Sequence, residues 1–224
     1  MTASIIRSDF DRIALLDADG WSHNNHYHAF LLKHVPRGCE DALEIGCGAG
    51  SVARLLAQRS KHVLALDLSP EMIQSAQARS QDFLQIDYQQ ADVLAWEFPR
   101  ERFDCIVSIA TLHHLPLELI TGKIKNALKA GGVFMALDLY EAQSPVEKIL
   151  GAIAFPIHVA LTLFHTGQIR QSPAVRAAWA EHGRNDTYLT LAQIRDVCNR
   201  ALPGAIVRPH LLWRYSIVWR KVSA

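Results

Sequence analysis

Cysteine is scarce in this sequence. The 224 residues hold four, Cys39, Cys47, Cys105 and Cys198, and no two form a CxxC pair. Thiols so widely spaced exclude a disulfide frame and a cysteine-based zinc site, and they read as the reduced thiols of a cytoplasmic protein. An excess of one charge is missing as well: 23 Lys and Arg balance 22 Asp and Glu. Without a basic field, a nucleic-acid partner is not expected. The N-terminus lacks a long apolar core and carries Asp9, Asp11 and Asp17, so it does not read as a signal peptide. Repeats and low-complexity tracts are absent. With half the residues apolar and 20% charged, the composition is that of one globular domain, neither disordered nor fibrous.

Charge of either sign is missing from one long stretch. Residues 149–169 contain no Asp, Glu, Lys or Arg. The two ends of the chain also differ: residues 1–144 sum to −5 and residues 145–224 to +6.

What is present is a rhythm of short apolar runs and helical runs. Residues 42–45, 62–66, 84–88, 103–109 and 133–139 read as strands. Residues 51–59, a run opened by Ser69-Pro70, and 117–128 read as helices, the last stopping at Gly131-Gly132. Continuous apolar strands separated by helices predict a parallel sheet covered on both faces. Capping boxes at Ser144-Pro145-Val146-Glu147 and Thr190-Leu191-Ala192-Gln193 open two more helices. Residues 205–222 read as two strands joined too closely for a parallel return. The expected fold is α/β: a Rossmann-like, doubly wound sheet of seven strands, mostly parallel with an antiparallel last strand, and helices on both faces. Its expected divisions are an N-terminal helical cap (1–40), a ligand-binding core (41–140), a helical lid insertion (141–202) and the final strands (203–224).

The strongest chemical signal is Leu43-Glu44-Ile45-Gly46-Cys47-Gly48-Ala49-Gly50. A strand enters a glycine loop and a helix follows, so the backbone can turn tightly against a ligand near free N–H groups. Asp67 ends the next strand, where a carboxylate would hold a ribose diol. A dinucleotide and S-adenosylmethionine both suit such a site. The spacing favours the second, because residue 51 is Ser where a dinucleotide loop wants Gly or Ala. Glu44 would repel a pyrophosphate but suits a ligand bearing an ammonium and a sulfonium.

The segment 43–50, Asp67 followed by Leu68-Ser69-Pro70-Glu71-Met72, Ala91-Asp92-Val93, and Phe103-Asp104 through His113-His114-Leu115 together resemble the class I S-adenosylmethionine-dependent methyltransferases, of the small-molecule, ubiquinone-biosynthesis-like type. The resemblance covers roughly residues 40–140. It implies that Gly46, Gly48 and Gly50 pass under the methionine part, with Glu44 near its ammonium. It further implies that Asp67 accepts from the ribose, that Leu68 and Met72 flank the adenine, that Asp92 and the Val93 backbone meet its edge, and that Ser108 and Ile109 line the transfer site. The expected reaction is methyl transfer to a small, apolar or aromatic O, N or C acceptor.

His113 and His114 follow the fourth strand on the acceptor side and are the candidates for a base. No metal is expected. His23, His26 and His28 invite a metal reading, but they do not share one helical face and no acid or cysteine lies close by. Trp21, Tyr27 or His28 could instead close over the donor. Residues 149–169 are long enough to span a bilayer, yet Pro156, His158 and His165 interrupt them and strands of the same sheet follow. They read as a cap over the acceptor site, near Arg170, Arg176 and Arg184, with a face that could meet membrane or a second copy. Two rivals remain: an NAD(P)-linked oxidoreductase, and a non-catalytic or membrane-associated S-adenosylmethionine-binding protein.

Overall fold

Apolar continuity makes the central strands. The computed structural model describes residues 2–16, 24–167, 172–184 and 186–222. Its strands are β1 (Cys39–Ile45), β2 (Ser60–Asp67), β3 (Ile86–Gln90), β4 (Phe103–Ile109), β5 (Leu128–Leu139), β6 (Ile206–His210) and β7 (Arg214–Arg220). They form one sheet in the order β3-β2-β1-β4-β5-β7-β6. β1 to β5 pair in parallel, and β7 runs antiparallel to both neighbours. The helices are α1 (Ala3–Leu16), α2 (His28–Leu32), α3 (Ser51–Ala57), α4 (Pro70–Ala78), α5 (Leu117–Ala127), α6 (Pro145–Thr166), α7 (Pro173–His182) and α8 (Leu191–Ala201). The doubly wound, seven-stranded sheet is the expected one.

Alternate side chains along each strand face opposite layers. One layer joins Val63, Val107 and Met135 to Leu31 of α2 and Leu56 of α3. The other joins Leu43, Leu64, Ile106 and Phe134 to Ile120 and Ile124 of α5 and to Ile194 and Cys198 of α8. All four cysteines are buried free thiols.

Three expectations need correction. The third strand begins two residues later than read, and Leu84 lies almost wholly in solvent at 93% exposure. Gly131-Gly132 does not end α5. The helix stops at Ala127 and β5 runs through the glycines, because Gly131 N–H donates to the Lys221 carbonyl (2.8 Å) and Lys221 N–H to the Gly132 carbonyl (2.9 Å). The lid of 141–202 is shorter than read, since α8 packs into the sheet's own core.

Residues 149–166 of the apolar stretch lie in α6, helical straight through Pro156 and opened by the Ser144 capping box. It does not make a buried cap. Of its residues only Ala154 and Thr162 are buried, whereas Phe155, Ile149 and Phe164 are exposed. By length and composition alone this helix could cross a membrane. Its inner side rests on Trp213, whose indole would meet any side chain added at Gly151.

Candidate active site

The carboxyl ends of β1, β2, β4 and β5 converge on one edge of the sheet, the edge at which open α/β folds bind ligands. β1 delivers the glycine loop there. Gly46 takes φ 74°, and a Cβ on it would run into the Thr111 side chain. Gly46 and Cys47 N–H donate to the Leu66 carbonyl, stitching the loop to β2. Around Gly48 nothing would meet an added Cβ, so this side of the loop is open.

Asp67, at the end of β2, accepts the Gly48 N–H (2.8 Å) on one oxygen and the Ser69 N–H (2.9 Å) on the other. Each oxygen keeps a further lone pair. Burial nevertheless raises its carboxyl above the ordinary value. Glu44 is more extreme. It is 2% exposed, and among the described residues its Oε2 has no hydrogen-bond partner. Burial pushes its carboxyl well up and Asp67 adds to the effect, while the Ala53 amide and Arg54 oppose it. A buried carboxylate oxygen without a partner, beside an open glycine, fits a ligand that brings a cationic donor.

Met72 is buried against Ile13 of α1 and Ala178 of α7, and Leu68 is half-buried. Asp92 caps its own turn by accepting the Leu94 N–H (2.9 Å). Lys123 of α5 pins this loop through the carbonyls of Leu94 (2.7 Å) and Trp96 (2.9 Å). Val93 is buried beneath it. The structure thus gathers Glu44, Gly46, Gly48, Gly50, Asp67, Leu68, Met72, Asp92 and Val93 along one edge. Ser108 departs from expectation: it is fully buried, and its hydroxyl donates to the Ile45 carbonyl (3.1 Å), bracing β1 against β4.

After β4 the chain turns at Ala110, held at φ 50° in the left-handed region, and enters a short 3-10 turn carrying His113 and His114. His113 is clamped from both sides. Its N–H donates to Asp138 Oδ2 (2.9 Å) and its Nδ1 meets Asp138 Oδ1 (2.6 Å). Burial, then His113, pushes His114 down to about 4. His182 and Asp186 close in from the α7 side, and Tyr188 donates its hydroxyl to Asp186 Oδ2 (3.0 Å). The sequence reading missed Asp138, His182, Asp186 and Lys123. Asp138 had a signal of the same kind as Asp67, an acid at the carboxyl end of a buried strand.

Of the residues proposed to close over the donor, Trp21 lies outside the described residues, as do His23 of the metal reading and Arg170 beside the cap. Tyr27 lies at the β5 end of this edge, where Arg214 and Tyr140 act on its hydroxyl. It is buried with its hydroxyl on the Leu211 carbonyl and its ring near His210, because α2 packs against the β6–β7 hairpin. His28 sits half-buried on α2. The donor side of the edge is covered by α1. Its Asp11 accepts from the Ser69 hydroxyl, its Arg12 pairs with Glu181 (2.6 Å), and its Asp9 contacts His182 Nδ1 (3.1 Å).

Residues 42–132 match the methyltransferase domain family. The trans-aconitate 2-methyltransferase of Streptomyces avermitilis is 37% identical over 212 residues, covering 84% of this chain and 77% of that protein. An uncharacterised methyltransferase of Mycobacterium tuberculosis is 26% identical over 215 residues, covering 89% and 96%. Among solved structures, a methyltransferase in complex with the Haloferax volcanii activator Trm112 superposes with a TM-score of 0.69 at 19% identity, covering 97% of this chain and 98% of that one. These matches remove the oxidoreductase rival and the non-catalytic one. The chain belongs to the class I S-adenosylmethionine-dependent methyltransferases.

Proposed function

We propose that the acceptor of this methyltransferase is small, apolar or aromatic, and methylated on oxygen, nitrogen or carbon. The donor site carries the reading: the buried Glu44 carboxyl, with Oε2 unpartnered, asks for a cation at the glycine loop. Glu44 then faces the donor's ammonium, and Gly46, Gly48 and Gly50 pass beneath its methionine part. Asp67 offers the ribose the lone pairs that the Gly48 and Ser69 amides leave. Leu68 and Met72 flank the adenine, and Asp92 and the Val93 backbone meet its edge. Ser108 contributes as the brace that fixes the end of β4. When bound, the donor supplies a methyl group already activated on a sulfonium. The chain needs no nucleophile; its residues bind, align and keep water out.

On the acceptor side, Tyr140 packs edge-on against Tyr215 and Tyr188 stands over His113. Arg214, paired in register with Leu139, is the buried cation there. These rings support a flat, apolar acceptor with one polar edge. Both ring nitrogens of His113 face carboxylates. We therefore give His113 and His114 a part in building this wall, and rest the rate on alignment. The free thiols support a cytoplasmic setting, and the exposed side of α6 supports contact with a membrane surface or a second copy of the chain.

The test is calorimetric titration with S-adenosylhomocysteine, with NADH for comparison. Micromolar binding is expected, and Asp67→Ala is expected to weaken it by about 1.5–3 kcal/mol, the range for a hydrogen bond to a charged group. Unchanged affinity in Asp67→Ala overturns the donor placement. Methyl transfer from labelled donor to a panel of phenols, amines and carboxylic acids then tests the acceptor class. Turnover confined to large or strongly charged acceptors overturns that part.

A further inference from the structure

We propose that His113, His114, His182 and Asp186 form a binding site for one divalent first-row transition-metal ion, which ties α7 and the segment after it to the β4 edge of the sheet. Each of the four offers a ligand atom, and these atoms all lie within 4.8 Å of one another. None of the four side chains is more than 6% exposed.

The hydrogen bonds around the cluster point the same way. Asp138 holds His113 by Nδ1 (2.6 Å) and Asp9 holds His182 by Nδ1 (3.1 Å). Each ring therefore turns Nε2 toward Asp186 Oδ2, at 3.9 and 3.7 Å. His114 Nδ1 stands 3.5 Å from Asp186 Oδ1. These separations are too long for hydrogen bonds. They are near the spacing of about 3.3 Å that ligands take around a tetrahedral ion held at about 2.0–2.1 Å. Among the described residues, Asp186 Oδ1 and His114 Nε2 are buried with no hydrogen-bond partner. A carboxylate holding Nδ1 while Nε2 points at a common centre is the arrangement that presents an imidazole lone pair to a metal.

Three imidazoles and one carboxylate select a transition metal such as zinc over calcium or magnesium, which prefer all-oxygen shells. Four protein ligands fill a tetrahedral shell, which marks a structural ion. The ligands come from the turn after β4 and from the end of α7, and Asp9 of α1 and Asp138 of β5 support them. One ion would thus join four segments of the chain. This inference does not depend on the identity of the acceptor.

The test uses the full chain stripped with a chelator and exchanged into metal-free buffer. Titration with zinc alone is expected to show one equivalent bound, with a rise in melting temperature. Cobalt(II) is expected to give the visible absorption bands of a tetrahedral site. Asp186→Asn and His182→Gln keep side-chain volume and are expected to abolish both signals, while S-adenosylhomocysteine still binds and reports a folded chain. Asp138→Asn is expected to weaken zinc binding by roughly ten- to a hundredfold, the usual effect of losing such a support. Less than a tenth of an equivalent of zinc on the unmodified chain overturns the proposal. So does stoichiometric zinc retained in both Asp186→Asn and His182→Gln, which would place the ion elsewhere.

Discussion

Glu44, next to last in β1, and Asp67, last in β2, stand on neighbouring parallel strands, yet they are satisfied differently. Asp67 receives two backbone amides, whereas Glu44 Oε2 receives no donor among the described residues. Glu44 therefore holds its proton above the ordinary carboxyl range, through burial first and Asp67 second. A ligand ammonium reverses that balance by favouring the carboxylate. Binding S-adenosylhomocysteine should then expel a proton at a pH between the ordinary carboxyl value and the raised one. This is measured by calorimetry in two buffers of different ionisation enthalpy. Glu44→Gln should remove the buffer dependence and weaken binding by about 1.5–3 kcal/mol. Equal heats in both buffers for the unmodified chain would falsify the pairing.

Both carboxylates were legible in the sequence because each closes an apolar run beside a glycine turn or a helix cap. Ser108 was misread for a reason of geometry. Which face a strand-end side chain takes depends on register, and Ile45 pairs with Ser108 so that its carbonyl takes the hydroxyl. The His113–His114–His182–Asp186 group was invisible as a group, because nearly seventy residues of chain separate its halves.

At the scale of elements, strong local signals survived. β4 spans the residues read for it, and both capping boxes form with side-chain and backbone bonds in place. Where tertiary pairing decides, local reading failed: Gly131-Gly132 looked like a helix stop but sits in a strand. α6 shows the same limit for burial, since a sequence of apolar residues does not reveal which face is covered. Phe155 is 63% exposed and Phe164 is 82% exposed. Phe155→Ala and Phe164→Ala should therefore change unfolding free energy by no more than about 0.5 kcal/mol, as surface changes do. A buried cap would lose about 3–5 kcal/mol per Phe→Ala. Ala154 is the contrast. It is 1% exposed against the core, so Ala154→Phe should cost about 1–3 kcal/mol by overpacking. Denaturant titration of the three variants checks the inner and outer faces together.

At the scale of the whole molecule, the donor edge opposes the stability of the ligand-free chain. Glu44 and Asp67 both have folded-state values raised above the ordinary 4.5 and 3.8. An acid of this kind keeps its proton in the folded chain while the unfolded chain loses it. Its effect is therefore smallest below the ordinary value, and stability falls as pH climbs through the window up to the raised value. Within that window each such group costs about 1.4 kcal/mol per pH unit. His28, His158 and His210 are pushed down by burial and tilt the curve the other way up to about 6.5. The total curve therefore mixes opposite slopes, but Glu44→Gln shares every histidine with the unmodified chain. Around Glu44 the charged and titratable neighbours are Asp67, Arg54, Cys47 and Tyr88, all retained in the variant. Without ligand, Glu44→Gln should melt increasingly above the unmodified chain as pH rises above the ordinary 4.5, by about 2–4 °C for each kcal/mol gained. With saturating S-adenosylhomocysteine the gap should shrink or change sign, because the unmodified carboxylate then has its cation. A gap that stays flat with pH in the ligand-free chain would mean that Glu44 is already ionised in the fold and that its burial sets no demand on the ligand.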